Sequence, residues 1–193
     1  MQAAAAVFAE RGYAGASIDQ ILAEAEVTKG ALYFHFESKA ELAVAVITAL
    51  GATWTQLRAA IDEEGERRGW SHLERLHRVA LGVGREYVES IMMTASMRLG
   101  DESNTIGVDL PVPMQGWMAY IEGMLERAQD AGEMPADADR ETIARMIIAA
   151  IYGIERLSRR PGQRREEFPD RVEEWWSLVL PGLTGAARVP AGR

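Results

Sequence analysis

The chain has 193 residues, 48% of them hydrophobic and 26% charged, with no cysteine and a formal net charge of −8. This composition excludes disordered, collagen-like and fibrous chains, and the missing cysteine removes disulfide scaffolds, thiol nucleophiles, Cys-ligated zinc and iron–sulfur clusters, a pattern that suits a reducing cytoplasm. Residues 1–50 are themselves net −3, with Arg11, Lys29 and Lys39 against six carboxylates, so any nucleic-acid reading by this segment must come from a local positive face.

Taken in chain order, the pattern is helical throughout, with no period-2 strand flanked by hairpin turns, and the predicted fold class is all-α. The first helix ends at Gly12 and Gly15. Ser17-Ile18-Asp19-Gln20 is a capping box that opens the second, Thr28 caps the third, and Ser38-Lys39-Ala40-Glu41 is a capping box that opens the fourth. Leu42, Val46, Leu50, Trp54, Leu57 and Ile61 mark one apolar stripe of that fourth helix, over 39–66. Ser71-His72-Leu73-Glu74 opens a fifth, with Leu73, Leu76, Ala80, Val83 and Tyr87 inside. A further helix is predicted over 89–99 and a loop over 100–113. Met114, Trp117, Met118, Ile121 and Leu125 restart the periodicity until Gly132 and Pro135. Asp139 caps a helix holding Ile143, Ile147, Ile151 and Ile154 that ends at Pro161-Gly162. The last helix is predicted over 166–180, stopping at Pro181-Gly182, with a loose tail over 184–193.

The second and third helices are separated only by 25–27. Two short helices on so tight a turn form a helix-turn-helix, whose second helix lies in the major groove of DNA with its N-terminal residues toward base edges. In Thr28-Lys29-Gly30-Ala31-Leu32-Tyr33-Phe34-His35-Phe36, Leu32 and Phe36 are four apart and can face a core, which leaves Lys29, Tyr33 and His35 on other faces. Thr28 and Lys29 sit at the positive end of the helix dipole, where phosphate is favoured, and Gly30 lets a backbone or sugar approach.

Phe8-Ala9-Glu10-Arg11-Gly12-Tyr13, Ser17-Ile18-Asp19-Gln20-Ile21, Val27 to Phe36 and Lys39-Ala40-Glu41-Leu42 together resemble the DNA-binding domain of the TetR family of bacterial repressors, over residues 3–50. The resemblance implies a helix-turn-helix domain over 1–45, followed by a helical ligand-binding and dimerisation domain over 46–183. It implies that Thr28, Lys29, Gly30 and Tyr33 approach the groove and that Ser17, His35, Ser38 and Lys39 touch the DNA backbone. The partners implied are a double-stranded, near-palindromic operator, a small apolar signalling ligand and a second copy of the chain. The motif over 27–36 and Gly116-Trp117 are similar to the γ-butyrolactone receptor branch, in which a Trp matching Trp117 lines the ligand pocket. Where that branch tends to place glutamine and threonine, this sequence has Leu50 and Ile154, which points to a different, more apolar or larger ligand, or to a receptor-like relative that answers to an antibiotic or other apolar metabolite and not to a butyrolactone. A pocket of Leu50, Trp54, Tyr87, Met93, Met97, Trp117 and Ile154 is expected, and a dimer face with Ile147, Ile151, Trp175 and Trp176. The family carries about ten more residues before Ala3, so the numbered start is expected to be internal to a longer protein or truncated.

Eight of the nine methionines lie between Met92 and Met146, which suits an adaptable pocket and core filling equally. His72 and His77 are five apart and face different sides of a helix, so neither metal nor cofactor is expected. The basic cluster Arg156, Arg159, Arg160, Arg164 and Arg165 reads as a solvated helix end. Gly82 and Gly84 fall within a helical stripe and not after a strand, and there is no nucleophile elbow, HExxH or phosphate-binding loop, so an enzyme is not expected. The longest wholly apolar run, 146–154, is too short for a bilayer, and the apolar start lacks the basic region of a signal peptide. No membrane contact and a cytoplasmic location are expected. For 51–193 taken alone, a helical-bundle interaction protein remains the alternative.

Overall fold

The computed structural model describes residues 1–108, 113–158 and 164–185. Among them there is no strand, and ten α-helices follow in order: α1 Gln2–Gly15, α2 Ile18–Ala25, α3 Lys29–His35, α4 Lys39–Arg68, α5 His72–Glu89, α6 Ile91–Asp101, α7 Ser103–Ile106, α8 Pro113–Asp130, α9 Arg140–Ser158 and α10 Phe168–Leu183. The tail over 186–193 and the Pro161-Gly162 stop lie outside the described residues, as do Arg159 and Arg160.

The punctuation of the N-terminal helices is built from the side chains that announce it. Gln20 N–H donates to Ser17 Oγ (3.2 Å) while Ser17 N–H donates to Gln20 Oε1 (2.9 Å), a complete capping box. Ala31 N–H donates to Thr28 Oγ1 at 3.3 Å and Glu41 N–H to Ser38 Oγ at 3.1 Å. The Glu41 carboxylate, however, accepts from Glu37 N–H (2.6 Å) and not from the cap residue, so this box is shifted by one position. Asp139 caps α9 through Thr142 N–H at 3.1 Å. At α5, Ser71 Oγ accepts from Glu74 N–H (3.1 Å), and the first-turn amides of His72 and Leu73 are taken by Glu133 at 2.9 and 3.0 Å. Partial burial works against the Glu133 carboxylate, but these amides and the His72 ring hold its pKa below the usual value.

Two compact units result. The first comprises Met1–Gln56 and Glu89–Val112, the second Leu57–Val88 and Pro113–Arg193. The first holds the helix-turn-helix and also α6 and α7, because Ala95, Leu99 and Ile106 are buried in one core with Ala4, Ala5, Val7, Phe8, Ile21, Leu32, Leu42, Val46 and Ile47. Alanines on both α1 and α6 let the two helices pack closely, and each buried Phe or Leu contributes roughly 1.5–3 kcal/mol. The core of the second unit gathers Leu73, Leu76, Ile121, Met124, Leu125, Ala144, Ile147 and Trp176. Within it Gly82 is a packing glycine, since a Cβ there would come 2.9 Å from Leu57 Cδ1, and a Cβ on Gly84 would come 3.3 Å from Pro169 Cα.

Two expectations need correction. The segment after Leu99 is not all loop: α6 runs on to Asp101 and the short α7 follows. Helix α10 passes through Pro181 to Leu183, because a proline in the last turn deprives only the carbonyl of exposed Ser177, which water can satisfy. By length and composition alone, α4 contains an 18-residue window of mean hydropathy 1.3 that would also suit a bilayer span. Its Leu42, Ala43, Val46, Ile47 and Leu50 are buried in the protein, and its end is charged with Glu63, Glu64, Glu66, Arg67 and Arg68.

Candidate functional site

The turn between α2 and α3 is made by Glu26, whose left-handed backbone (φ 53) closes α2. Leu32 is then buried and Phe36 half-buried against the first core, as their spacing predicts. Every other residue of α3 is solvent-exposed: Lys29, Gly30, Ala31, Tyr33, Phe34 and His35, as are the flanking Ser17, Thr28 and Ser38. The Lys29 ammonium lies 5.9 Å from the Tyr33 ring, so cation and aromatic form one exposed patch. A Cβ on Gly30 would meet nothing within 4 Å, so nothing inside the protein requires glycine there. Phe34 went unnoticed in the sequence and stands 84% exposed, edge-on to His35 at 5.1 Å. An aromatic ring that exposed gains nothing from the core. Its signal was available, because Leu32 and Phe36 fix the buried side of a seven-residue helix and Phe34 falls opposite them.

Lys39 is placed differently from the others. Its half-buried ammonium donates to Tyr13 O and Ala16 O, each at 2.8 Å, and lies 4.3 Å from the Tyr13 ring. It therefore ties the start of α4 to the end of α1, and this internal brace takes much of the donor capacity that the resemblance assigned to a phosphate. Lys39→Ala is expected to destabilise the protein by about 2 kcal/mol, because it strips two charge-assisted hydrogen bonds and a cation–π contact. A urea midpoint like that of wild type would place the work of this lysine outside the protein.

The residues expected to form a pocket are distributed over both units. Leu50, Trp54, Met93 and Met97 belong to the first, with Leu50 and Met93 buried. Tyr87, Trp117 and Ile154 belong to the second. There Tyr87 is buried against Phe168, ring centroids 4.6 Å apart, which is a core contact. Trp117 is half-buried and meets Tyr120 edge-on at 6.1 Å, and the Arg58 guanidinium lies 5.1 Å from both rings while reaching Gly116 O at 3.4 Å. The Tyr120 hydroxyl and Asp62 Oδ1 are buried there without a well-formed hydrogen bond. Burial first, and then the Asp62 carboxylate, push the pKa of that hydroxyl up. Arg58, Asp62 and Tyr120 were missed because polar residues on a helical stripe read as its solvated side.

The expected dimer face divides in the same way. Ile147 and Trp176 are core residues, 4% and 1% exposed, and Trp176 stacks on His77 at 5.4 Å. Neither can anchor a partner chain without unpacking its own. Ile151 and Trp175 are half-buried. The outward apolar side chains of α9 and α10 are Met146, Tyr152, Leu157 and Leu178. The two histidines of α5 each meet a carboxylate, His72 Nδ1 with Glu133 at 2.8 Å and His77 Nε2 with Glu173 at 2.6 Å.

An all-α protein that presents a capped two-helix reading head ahead of a larger helical unit belongs to the helix-turn-helix class of DNA-binding proteins. Residues 1–46 match the model of the bacterial regulatory proteins, tetR family, and 70–185 match the tetracyclin repressor-like C-terminal domain, so the chain belongs to the TetR family. It is 32% identical to the A-factor receptor protein of Streptomyces griseus over 185 residues, which are 95% of this chain and 62% of that protein. It thus spans less than two thirds of that receptor's length. The HTH-type transcriptional regulator SrpR of Pseudomonas putida is 28% identical over 93% of this chain and 83% of its own. Among solved structures, one described as a molecular basis for control of antibiotic production by bacterial hormones superposes with a TM-score of 0.84, at 34% identity over 94% of both chains. A γ-butyrolactone receptor superposes with a TM-score of 0.77, at 32% identity over 94% of this chain and 84% of that one. These relatives are regulators and receptors, not enzymes.

Proposed function

We propose that the protein is a cytoplasmic, homodimeric transcriptional repressor that binds a near-palindromic operator and is released by a small signalling molecule of the γ-butyrolactone type. The observation that carries this reading is α3: seven residues with only Leu32 given to the core, capped by Thr28, and exposing Lys29, Gly30, Tyr33 and Phe34 in one continuous patch. Two-fold symmetry puts the two recognition helices one turn of DNA apart, roughly 34–36 Å. Lys29 supplies phosphate neutralisation, so affinity falls with salt. Phe34 joins Tyr33 as an aromatic surface for sugar or base.

The ligand reading rests on Trp117. A ring half-open beside Arg58 and Tyr120 offers an apolar face next to cationic and hydroxyl donors, which suits a molecule with an apolar body and a carbonyl-bearing head. The relatives named for A-factor and γ-butyrolactones support that class. Release follows if the ligand prefers a conformation in which the recognition helices miss successive grooves, and a nearly complete shift needs about 5 kcal/mol of such preference. Trp117→Ala is expected to leave operator binding intact and to remove the response to ligand in a fluorescence-anisotropy titration; full response in the variant contradicts the pocket assignment.

The experiment that tests the whole reading is a titration of the protein against DNA from its own upstream region, with and without a γ-butyrolactone. Tight binding relieved by the lactone is the expected result. Tight binding untouched by it keeps the repressor and moves the ligand to another metabolite class; no DNA binding returns the chain to a helical-bundle interaction protein.

A further inference from the structure

Helix α1 is broken at Gly12, whose backbone (φ 70, ψ −178) is far from helical. An uninterrupted helix would give the Ala14 N–H to the Glu10 carbonyl. Here Ala14 N–H donates instead to Glu102 Oε2 at 2.9 Å, and the carbonyls of Glu10 and Ala9 accept from Arg98 Nη1 at 2.7 and 2.9 Å. Arg98 on α6 and Glu102, the C-cap residue of that helix one turn on, lie 3.9 Å from one another and thus supply the partners that the kink takes away. A Cβ on Gly12 would collide with the Glu102 carboxylate, which could give way only by leaving the Ala14 N–H. Just beyond the kink, the carbonyls of Tyr13 and Ala16 are held by Lys39, and Ser17 opens α2. The direction of the last turn of α1 is therefore fixed from two sides, by α6 and by α4, and α2 and α3 follow from it.

We infer that Arg98 and Glu102 are positioning residues for operator binding, setting the angle at which the reading head leaves α1 by completing the hydrogen bonds broken at Gly12. They touch no DNA themselves. A dimer must present two heads at one fixed separation, so a head free to pivot at Gly12 binds less tightly and also tolerates wrong spacings. The inference rests on the operator-binding dimer proposed above.

The test uses the full chain and a duplex selected from random DNA by the wild-type protein, together with versions of it in which one base pair is inserted or removed between the half-sites. Glu102→Ala is expected to bind the selected duplex at least ~10-fold more weakly, the scale of one hydrogen bond lost with its donor left unsatisfied, and to discriminate less between spacings. Glu102→Gln keeps an acceptor for the Ala14 N–H and is expected to retain the wild-type profile. Arg98→Met keeps the apolar stem without the donors and is expected to flatten the spacing preference, which covers the case in which Glu102→Ala fails to fold. Wild-type affinity in Glu102→Ala, or a uniform loss at every spacing with the preference intact, overturns the inference, as does a sharp wild-type preference in Arg98→Met. Failure of the wild-type protein to select any DNA overturns the functional reading instead, so the two failures are distinguishable.

Discussion

Gly12→Ala is expected to abolish operator binding and to destabilise the first unit by about 3 kcal/mol, a sum of a backbone conformation that L-residues avoid and a hydrogen bond that must be given up. The position combines φ 70 with ψ −178, and a methyl group there would collide with Glu102 Oε1 and sit 3.0 Å from Arg98 Nε. Space can be made only by turning Glu102 away, which releases the Ala14 N–H, or by straightening α1, which redirects everything after it. Gly30 is the control. It lies within α3 with nothing within 4 Å of its missing Cβ, so Gly30→Ala is expected to raise stability by up to about 1 kcal/mol while weakening operator binding. Urea unfolding and anisotropy on the same four preparations, the two variants and two wild-type references, separate the glycine that shapes the fold from the one that admits the ligand DNA. Equal unfolding midpoints for Gly12→Ala and wild type would remove the kink from the account.

What was legible in the sequence was whatever is decided within three or four residues. Ser17 and Gln20, Thr28 and Ala31, Ser38 and Glu41, Asp139 and Thr142 all make the short-range hydrogen bonds that their identities announce, and they set the starts of α2, α3, α4 and α9. The kink at Gly12 was half legible: the glycine marks an ending, yet its partners lie on α6, 88 and more residues away, and no local pattern links Arg98 or Glu102 to α1. Lys39 illustrates the same limit, since its ammonium reaches back 23 and 26 residues to carbonyls that have no sequence signature at all. Ends were harder than starts. A proline such as Pro181 breaks a helix only where the lost bond matters, and at an exposed last turn it does not. Exposure of Phe34 followed from the period of α3, but its meaning depends on a partner surface that a single chain does not contain.

The adjacent tryptophans of α10 pose the sharpest case, because neighbours in a helix point about 100° apart and cannot both serve one face. Trp176 is 1% exposed in the core with Leu73, Ile121 and Ile147, whereas Leu178 is 81% exposed on the same helix. Trp176→Ala is accordingly expected to cost about 4 kcal/mol, the ordinary range for truncating a buried aromatic, and to lower the yield of folded protein. Trp176→Phe should cost far less, since the Nε1 donor has no hydrogen-bond partner and its removal spares a buried polar group. Leu178→Glu should do the opposite: its unfolding as a single chain stays close to wild type, but two carboxylates brought together across a two-fold axis oppose the dimer. Light scattering at micromolar concentration should then report a monomer for Leu178→Glu and a dimer for Trp176→Phe. A dimer in Leu178→Glu would mean that the exposed faces of α9 and α10 are not where the second copy docks, and would remove these faces from the dimer proposed above.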